Sequence, residues 1–422
     1  MLCTSAMVLL GRIKMRILFI STNLPVPPNS GQAIRTLSIL QAMASSSHEL
    51  SFLSFASRGK VASFDPLSSY CRDIDLIERP FTNMSAHGDY LRRALSLLSL
   101  KSYSIERFRS GRMRSRIQTA IGTKQPDLIV CDSLYALVNV PPTKVPIALN
   151  CHNVEHMILE RYSRIEENVA KKCYARAEAY LMRIAEHRGL RRATLAMVCS
   201  KNDGDALRRL NPDVSIFVVP NSVDTDSYDP DGNYVSNNTG PVLLFQGSMD
   251  WYPNRDAVEF FAGSILPLVR VECPNVRFIV AGKNPPAELV SELGSIAEFT
   301  GTIPDMRPYL AAATVVVVPL RVGGGTRIKI LEACAAGRAV VSTTLGAEGL
   351  GLQSGKEIVL ADDPNEFARC VIALLQSSSQ RSALGKRARA VVVERYSHVC
   401  LKRTLEAAIS HLNLDAKASI SA

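Results

Sequence analysis

The sequence predicts two α/β units in series, each built on a doubly wound parallel sheet. Short apolar runs with almost no polar interruption recur along the chain, as expected of strands that are buried on both faces. Segments with helical periodicity alternate with these runs, which favours parallel over antiparallel pairing. The length of 422 residues, with 47% hydrophobic and 21% charged residues, suits two globular domains better than one core.

The first unit is predicted to span residues 15–220, after a disordered extension at 1–14. Its first strand, 16–21, leads through a Pro-rich loop to a helical pattern at 33–44. A long charged helical stretch covers most of 155–193. The other strands are predicted at 49–55, 127–131, 146–151, 195–200 and 215–220.

The second unit is predicted to span residues 221–396 and to begin after a polar stretch, 229–240, that is typical of a surface hinge. A final apolar-periodic helix, at about 397–412, either packs on its own domain or crosses back to the first. The strands of this unit are predicted at 241–247, 276–282, 296–301, 314–319 and 339–343.

Composition narrows the class of protein. The net charge of +10 favours anionic partners. Aromatic residues make up only 6% of the chain, which argues against an aromatic-lined nucleic-acid or glycan-stacking surface as the main feature. The ten cysteines contain no C-x-x-C pair, and the longest apolar runs are too short to span a membrane. We therefore expect reduced thiols, no metal site and a cytoplasmic location.

A loop with three consecutive glycines is the main candidate site, because ligands of parallel sheets bind where strands end. It follows the apolar run 314–319, and its glycines allow a backbone to approach a ligand closely. Thr326 is predicted to cap the next helix, with Arg327 and Lys329 in the first turn. Cations there are disfavoured by about 0.3–1 kcal/mol each unless an anion docks. A diphosphate site is predicted; the alternative is two solvated surface cations. The expected contacts of this loop are Gly324, Gly325, Thr326, Arg327 and Lys329.

Glu332 lies in the same helix among small and apolar neighbours. A buried carboxylate needs partners, and its two acceptor oxygens suit the two hydroxyls of a ribose. The alternative is an exposed glutamate paired with Lys329 three residues earlier.

Three further loops follow predicted strands. Gly247 opens the loop 247–256, and His152 stands directly after the run 146–151. Gly31 precedes the first helical pattern, a geometry that faces anions. No G-x-G-x-x-G occurs at that first turn, which argues against a dinucleotide dehydrogenase.

Together these motifs resemble glycosyltransferase family 4, over nearly the whole chain from residue 15 to about 412. The motif VPNSVD at 219–224 is similar to a strand-end motif of the family, and residues 323–337 to its donor-binding loop and helix. The motif FTGTIPD at 299–305 resembles the segment that frames the nucleobase, and Ile303 in this motif is therefore a predicted donor-binding residue. The motifs DWYPN at 250–254 and HNVE at 152–155 resemble a subgroup that includes exopolysaccharide sugar transferases.

The resemblance implies the GT-B fold, in which two Rossmann-like domains face a central cleft. It implies that Glu332 holds the ribose and that His152 bonds the donor sugar. The first of the family's two glutamates would stand at Gly324, and Ser248 occupies a position where arginine is common. We therefore assign the diphosphate to Arg327 and Lys329.

The predicted function is retaining, metal-independent transfer of a sugar from a UDP- or GDP-sugar to a glycan or lipid-linked acceptor, with no cofactor and no nucleic-acid partner. The alternatives are a sugar-nucleotide epimerase-like enzyme and, because of Gly324, a non-catalytic nucleotide-binding module. The apolar segment 90–100 and the arginine cluster 107–116 predict peripheral contact with the anionic inner face of the membrane; the alternative is an ordinary amphipathic helix.

Overall fold

The structure is a computed structural model that describes residues 14–56, 65–79, 92–93, 95–228, 230 and 240–420. Over these ranges the chain forms two parallel sheets flanked by helices. We refer to the parts built on the first and second sheets as the N-terminal and C-terminal lobes. The predicted fold class, with two doubly wound parallel sheets, is confirmed.

The N-terminal sheet has seven strands in the order β3-β2-β1-β4-β5-β6-β7. Its strands are β1 Arg16–Ser21, β2 Glu49–Ala56, β3 Asp73–Glu78, β4 Leu128–Cys131, β5 Ile147–Cys151, β6 Leu195–Val198 and β7 Ser215–Val218. The helices of this lobe are Gly31–Ser45, Asp65–Ser68, Tyr103–Glu106, Gly111–Lys124, Leu134–Leu137, Glu155–Ile165, Val169–Leu190 and Lys201–Leu210.

The C-terminal sheet has six strands in the order β10-β9-β8-β11-β12-β13. Its strands are β8 Val242–Gln246, β9 Arg277–Ala281, β10 Glu298–Phe299, β11 Val315–Val318, β12 Val340–Ser342 and β13 Val359–Leu360. Its helices are Tyr252–Phe260, which continues through a π-helical turn at Phe261–Ile265 into Leu266–Glu272, then Ala287–Leu293, Arg307–Ala312, Ile328–Ala335, Pro364–Gln376 and Ser378–Tyr396.

The central strands are mostly buried, as their apolar sequences predict. All four residues of β4, β6 and β11 are buried. Strand β3, whose burial is only partial, was not predicted because it lacks a continuous apolar run. The predicted extension 1–14 and the hinge 229–240 lie almost entirely outside the described residues.

The last helix, His398–Ile420, leaves the C-terminal lobe and packs on the N-terminal one. Leu401, Leu405 and Ile409 join the same hydrophobic core as β1 and the helix Gly31–Ser45. Polar contacts hold the other side, since Lys402 Nζ donates to the Ser45 carbonyl oxygen at 2.8 Å. The chain therefore finishes on the lobe where it began.

The glycine loop of the C-terminal lobe packs directly on the N-terminal lobe. A Cβ atom on Gly324 would lie 2.9 Å from Cγ1 of Ile158, and one on Gly325 would lie 2.7 Å from Oδ1 of Asn153. The new Cβ of Gly325 would also collide with the carbonyl oxygen of His152. Side chains at these two positions are therefore excluded in this arrangement of the lobes.

Polar contacts from two residues, Arg161 and Asn221, fix the same junction. Arg161 donates to the Gly323 carbonyl oxygen at 2.6 Å and to both carboxylate oxygens of Glu348 at 2.8 Å. Asn221 Nδ2 donates to Thr326 Oγ1 at 2.8 Å. The hydroxyl of Thr326 is thus engaged with the segment that connects the lobes.

None of the helices in the described part of the chain combines the length and the apolar character that crossing a membrane requires.

Replacing Leu405 by alanine should lower the free energy of unfolding by about 2–5 kcal/mol, because the side chain is 1% exposed and its loss leaves a cavity. The control is Val399→Ala on the same helix, where a side chain that is 79% exposed should change stability by less than about 0.5 kcal/mol. The measurement is the chemical denaturation midpoint. Equal midpoints for the two variants would contradict the packing of this helix.

Replacing Gly325 by alanine should destabilise the protein by more than about 1 kcal/mol, because its φ of +65° disfavours a side chain and the neighbouring lobe leaves no room. Gly122→Ala is the matched control: this helical glycine has open space around it, and alanine there should stabilise by about 0.5–1 kcal/mol. Denaturation midpoints that move in the same direction would argue against the close approach of the loop.

Candidate active site

His152 stands at the carboxyl end of β5, where its imidazole is held by a buried acid. Its Nε2 lies 2.8 Å from Oδ1 of Asp132, which follows β4 and is fully buried. An ionised carboxylate can only accept, so Nε2 of His152 is the donor in this hydrogen bond. The buried carboxylate therefore fixes the position of the His152 ring and holds a proton on its Nε2.

Asp132 is the centre of a larger buried network. Asn150 Nδ2 donates to its Oδ1 at 2.7 Å, and the hydroxyls of Thr36 and Ser21 donate to Oδ2 at 2.7 and 2.8 Å. Burial alone would raise the pKa of Asp132, but His152 and these hydrogen bonds outweigh it and leave the pKa lowered. The carboxylate stays ionised and keeps its neighbours in place.

A buried arginine connects this network to the junction between the lobes. Arg35 is 2% exposed, and its guanidinium donates to Oδ1 of Asn150 at 2.8 Å, to the Val219 carbonyl oxygen at 2.8 Å and to Oδ1 of Asn221 at 3.0 Å. Since Asn221 in turn bonds Thr326, the chain of contacts runs from His152 to the glycine loop.

The helix Ile328–Ala335 begins differently from the prediction. Its N-cap is Arg327, without a side-chain cap, and not Thr326. The physical reason is that Thr326 gives its hydroxyl oxygen to Asn221 instead. The first N–H groups of the helix therefore receive no side-chain oxygen from the cap residue and remain suited to an anion.

Lys329 reaches across to the loop after β8. Its Nζ donates to Asn254 Oδ1 at 2.7 Å and lies 4.1 Å from the centre of the Phe245 ring. A Cβ on Gly247 would be only 2.9 Å from this nitrogen. Burial, with a smaller contribution from Arg327, lowers the pKa of Lys329 to about 7. A bound anion would relieve this unfavourable environment.

Arg327 turns toward its own loop. The guanidinium donates to the carbonyl oxygens of Gly324 and Gly325, and a longer contact of 3.4 Å reaches the carbonyl oxygen of Leu345. The residue is 8% exposed, and burial lowers its pKa to about 10. Its observed contacts fix the shape of the glycine loop.

Glu332 is partly buried, and its partners are not those of the surface alternative. Its carboxylate accepts from the hydroxyl of Tyr228 at 2.8 Å and from Nε2 of Gln246 at 2.6 Å, and no ion pair joins it to Lys329. Burial raises the pKa of Glu332 to about 7, although Tyr228, Lys329 and Gln246 each oppose the shift. The second side-chain polar atom of Gln246, Oε1, is buried without a hydrogen-bond partner among the described residues.

The remaining predicted site residues, Gly31 and Ile303, lie at different places in the fold. Gly31 is the first residue of its helix, and a Cβ there would lie 3.7 Å from Cδ1 of Ile328. Near it, Lys283 Nζ donates across the lobes to Asn29 Oδ1 at 3.3 Å. Ile303 packs, partly buried, against the core of the C-terminal lobe near β10. The structure thus places Gly31 near Ile328, Gly247 beside Lys329 and Gly325 beside His152.

A cavity of about 350 Å³ opens at the carboxyl ends of β1 and β2. Polar side chains contribute much of its lining, and Lys283 is contributed by the C-terminal lobe. Its polar lining residues are Thr22, Asn23, Asn29, Ser30, Gln32, Thr36, Arg79 and Lys283.

Sequence reasoning did not identify several of these residues. Arg35, Asp132 and Asn150 are single polar residues in or beside apolar runs, and only the position of the last two at strand ends signals a site. Tyr228 and Gln246 meet Glu332 only through the fold.

Solved structures share the fold of this chain. The chain superposes on sucrose-phosphate synthase from Thermosynechococcus elongatus with a TM-score of 0.72 and 16% identity, covering 96% of this chain and 100% of that one. It superposes on HepE from Anabaena, in complex with UDP and glucose, with a TM-score of 0.63 and 16% identity, covering 94% and 99% of the two chains. At such identities the likeness establishes the fold, GT-B as expected.

Two relatives are similar in sequence. An uncharacterised 44.6 kDa protein in the cps region of Klebsiella pneumoniae is 23% identical over 394 residues, which cover 90% of this chain and 96% of that protein. Phosphatidyl-myo-inositol mannosyltransferase from Mycolicibacterium smegmatis is 29% identical over 179 residues, 40% of this chain and 45% of that protein.

Family models match both lobes. Residues 29–227 match the model described as Glycosyltransferase Family 4, and residues 240–377 match the model described as Glycosyl transferases group 1. The two matches are consecutive and leave out mainly the termini. They therefore include most of the first lobe and the whole glycine loop. Neither the epimerase-like nor the non-catalytic alternative is favoured by them. The chain is a glycosyltransferase and belongs to family 4.

Proposed function

We propose that the donor is a nucleoside-diphosphate sugar bound mainly by the C-terminal lobe. The observation that carries this proposal is the group of underpartnered polar atoms at the carboxyl end of β8. A cationic Lys329 with a lowered pKa, a carboxylate at Glu332 with a raised pKa and an orphaned Oε1 of Gln246 meet there. Each would gain from a ligand that carries phosphates and hydroxyls.

Lys329 is the group we assign to the diphosphate. It lies beside Gly247, and the uncapped start of its helix adds N–H groups and a favourable dipole. Arg327 supports the site by fixing the loop carbonyls and by adding positive potential. These charges supply the neutralisation that a divalent cation would otherwise provide, so we propose a metal-independent reaction with no cofactor.

Glu332 and Gln246 are assigned to the ribose. The carboxylate can accept hydrogen bonds from both ring hydroxyls, and Oε1 of Gln246 offers a further acceptor. Ile303, near β10, then borders the base. The complexes of HepE with UDP and UDP-glucose support a uridine or related nucleotide, and we propose a UDP- or GDP-sugar.

His152 and Asn153 are assigned to the transferred sugar. The family's first glutamate would stand at Gly324, where Ile158 and Asn153 leave no room for a side chain. Asn153 approaches the glycine loop from the opposite lobe, and its Nδ2 donates to Glu155 Oε1 at 3.2 Å. This bond points Oδ1 toward Gly325, so the amide takes over polar contact with the sugar from the missing glutamate.

We propose that the transfer proceeds with retention. The acceptor oxygen bonds to the anomeric carbon on the face from which the diphosphate leaves, and the hydroxyl proton passes to the departing phosphate oxygen. The protein contributes alignment and stabilisation of the charge that develops on the diphosphate, which the helix start and Lys329 provide.

The acceptor is proposed to be a glycan or a lipid-linked glycan that enters through the cavity lined by Arg79 and Gln32. The similar protein of the Klebsiella cps region supports a role in polysaccharide synthesis. We propose that the protein acts in the cytoplasm, in peripheral contact with the inner face of the membrane.

The donor assignment predicts that one nucleotide, among UDP, GDP and ADP, raises the melting temperature of the protein, since a ligand bound only to the folded state stabilises it. Glu332→Gln should weaken binding of that nucleotide about 10–100-fold, because it loses charge-assisted hydrogen bonds to the ribose. Calorimetric titration provides the affinities, and transfer activity should fall in parallel.

The control is Glu394→Gln, an exposed glutamate of the same lobe. It should bind and react like the wild type. Unchanged nucleotide affinity in Glu332→Gln would remove the ribose assignment, and the absence of any stabilising nucleotide would remove the donor assignment.

The lowered pKa of Lys329 predicts that nucleotide affinity depends on pH. The ammonium that attracts the diphosphate has a pKa of about 7, so affinity should fall as pH rises through that value and binding increasingly requires proton uptake. Glu332 works in the opposite direction, because its ionisation, also near 7, improves it as an acceptor. Lys329→Arg, which keeps its charge, should therefore remove the fall and leave a flat or rising profile.

Calorimetry of UDP binding from about pH 6 to about pH 9, in buffers of different ionisation enthalpy, measures both affinity and proton uptake. Lys356→Arg, on an exposed part of the same lobe, should retain the wild-type profile. A fall of equal size in Lys329→Arg would assign the titration to another group.

A further inference from the structure

A second cavity, of about 380 Å³, lies on the N-terminal lobe and shares no lining residue with the first. It is formed by the segment 100–109, by the helix Leu134–Leu137 with the turn after it, and by the end of the helix Val169–Leu190. Its volume is within the range of small-molecule sites. The donor and acceptor assignments above leave it without a role.

The interior of this cavity is apolar. Its apolar lining residues include Ile105, Leu134, Leu137, Val140, Leu181 and Ile184. Gly189 brings the two helices together, because a Cβ there would collide with Cδ1 of Leu134. The floor is therefore made of packed helices and is not a gap between mobile loops.

The rim is strongly cationic. Among the lining residues, the one carboxylate is Glu106, which is bound by Arg109 at 2.7 Å. The lining cations are Lys101, Arg109, Arg114, Arg188 and Arg192. Arg192 donates to the Val140 carbonyl oxygen at 2.7 Å, so its charge is fixed at the edge. Several uncompensated positive charges around an apolar interior favour a ligand with an anionic head and a hydrocarbon tail.

The surface beside the cavity has the same character. Leu95, Leu98 and Leu100 are 53%, 82% and 71% exposed, and Leu100 also lines the cavity. Arg114 and Arg188 are exposed and form no side-chain hydrogen bond or ion pair with the described residues. Exposed leucines next to free guanidinium groups are typical of surfaces that rest on anionic lipid.

We propose that the cavity receives one hydrocarbon chain of an anionic membrane phospholipid, whose phosphate lies against Arg114 and Arg188. The proposal extends the peripheral membrane contact proposed above, but it does not depend on the donor. A chain held in the cavity would anchor the N-terminal lobe at the surface where a lipid-linked acceptor resides. Surface attraction alone would provide no such fixed orientation.

The test distinguishes insertion of the lipid's hydrocarbon chain from electrostatic attraction to the rim. Ala185→Phe fills the cavity and leaves every charge in place, whereas Ala170→Phe adds the same ring to an exposed position of the same helix. The double variant Arg114→Gln/Arg188→Gln removes two rim charges without touching the interior, and Arg183→Gln, exposed on the same helix, is its control.

Co-sedimentation with phosphatidylcholine vesicles, with and without phosphatidylglycerol, is measured for each full-length variant. We expect binding only to the anionic vesicles. The double variant should bind on the order of thirtyfold more weakly, and Ala185→Phe should also weaken binding, while Ala170→Phe and Arg183→Gln should not. Calorimetry with dodecyl phosphate, as a soluble single-chain probe, should show one site that Ala185→Phe abolishes.

Binding that Ala185→Phe leaves unchanged, while the double variant loses it, would reduce the interaction to surface electrostatics and overturn the proposal. Equal binding of all variants, or no binding of the wild type, would do the same. Stabilisation by nucleotide, measured on the same variants, should persist throughout. Its presence without vesicle binding would leave the donor proposal standing while this one falls.

Discussion

The direct approach of the glycine loop to the edge of the other lobe is the constraint on which the site depends. Gly325 meets the backbone of His152, and Gly324 meets Ile158 and Asn153. Because no side chain fits at either position, the glutamate that the family usually has at Gly324 is excluded sterically. The same contact engages Thr326 with Asn221, and the helix consequently starts at Ile328 without a side-chain cap.

That helix start determines which element brings positive charge to the proposed nucleotide site. Ser248 occupies the position after Gly247 where arginine is common in the family, yet the nitrogen of Lys329 lies close to Gly247. The ammonium group of Lys329, on the helix, thus lies where an arginine of the loop would otherwise place its charge. A point charge stabilises a diphosphate from either element, provided that its distance is right, so the substitution preserves the electrostatics while the sequence pattern changes.

The sequence predicted what depends on local pattern. Continuous apolar runs such as β11 identified the buried strands. The three glycines identified a candidate ligand loop, and its role stays a prediction. It could not decide where the last helix packs, because an apolar stripe does not specify which core it covers. It assigned Thr326 to the cap, since that role is local, whereas the bond to Asn221 is long-range. Partners such as Gln246, eighty-six positions from Glu332, become visible only in the fold.

The two halves of the site satisfy their polar groups in different ways. In the N-terminal lobe, Asp132 is ionised and fully hydrogen-bonded, so His152 is held before any ligand arrives. In the C-terminal lobe, burial has moved the pKa values of Lys329 and Glu332 toward each other and Gln246 retains an unpaired oxygen. A network that is already complete gains little from a ligand, whereas an incomplete one gains the bonds that it lacks. In the proposed function, the donor therefore supplies what the second lobe is missing, and the first lobe presents a rigid surface against which the sugar is aligned.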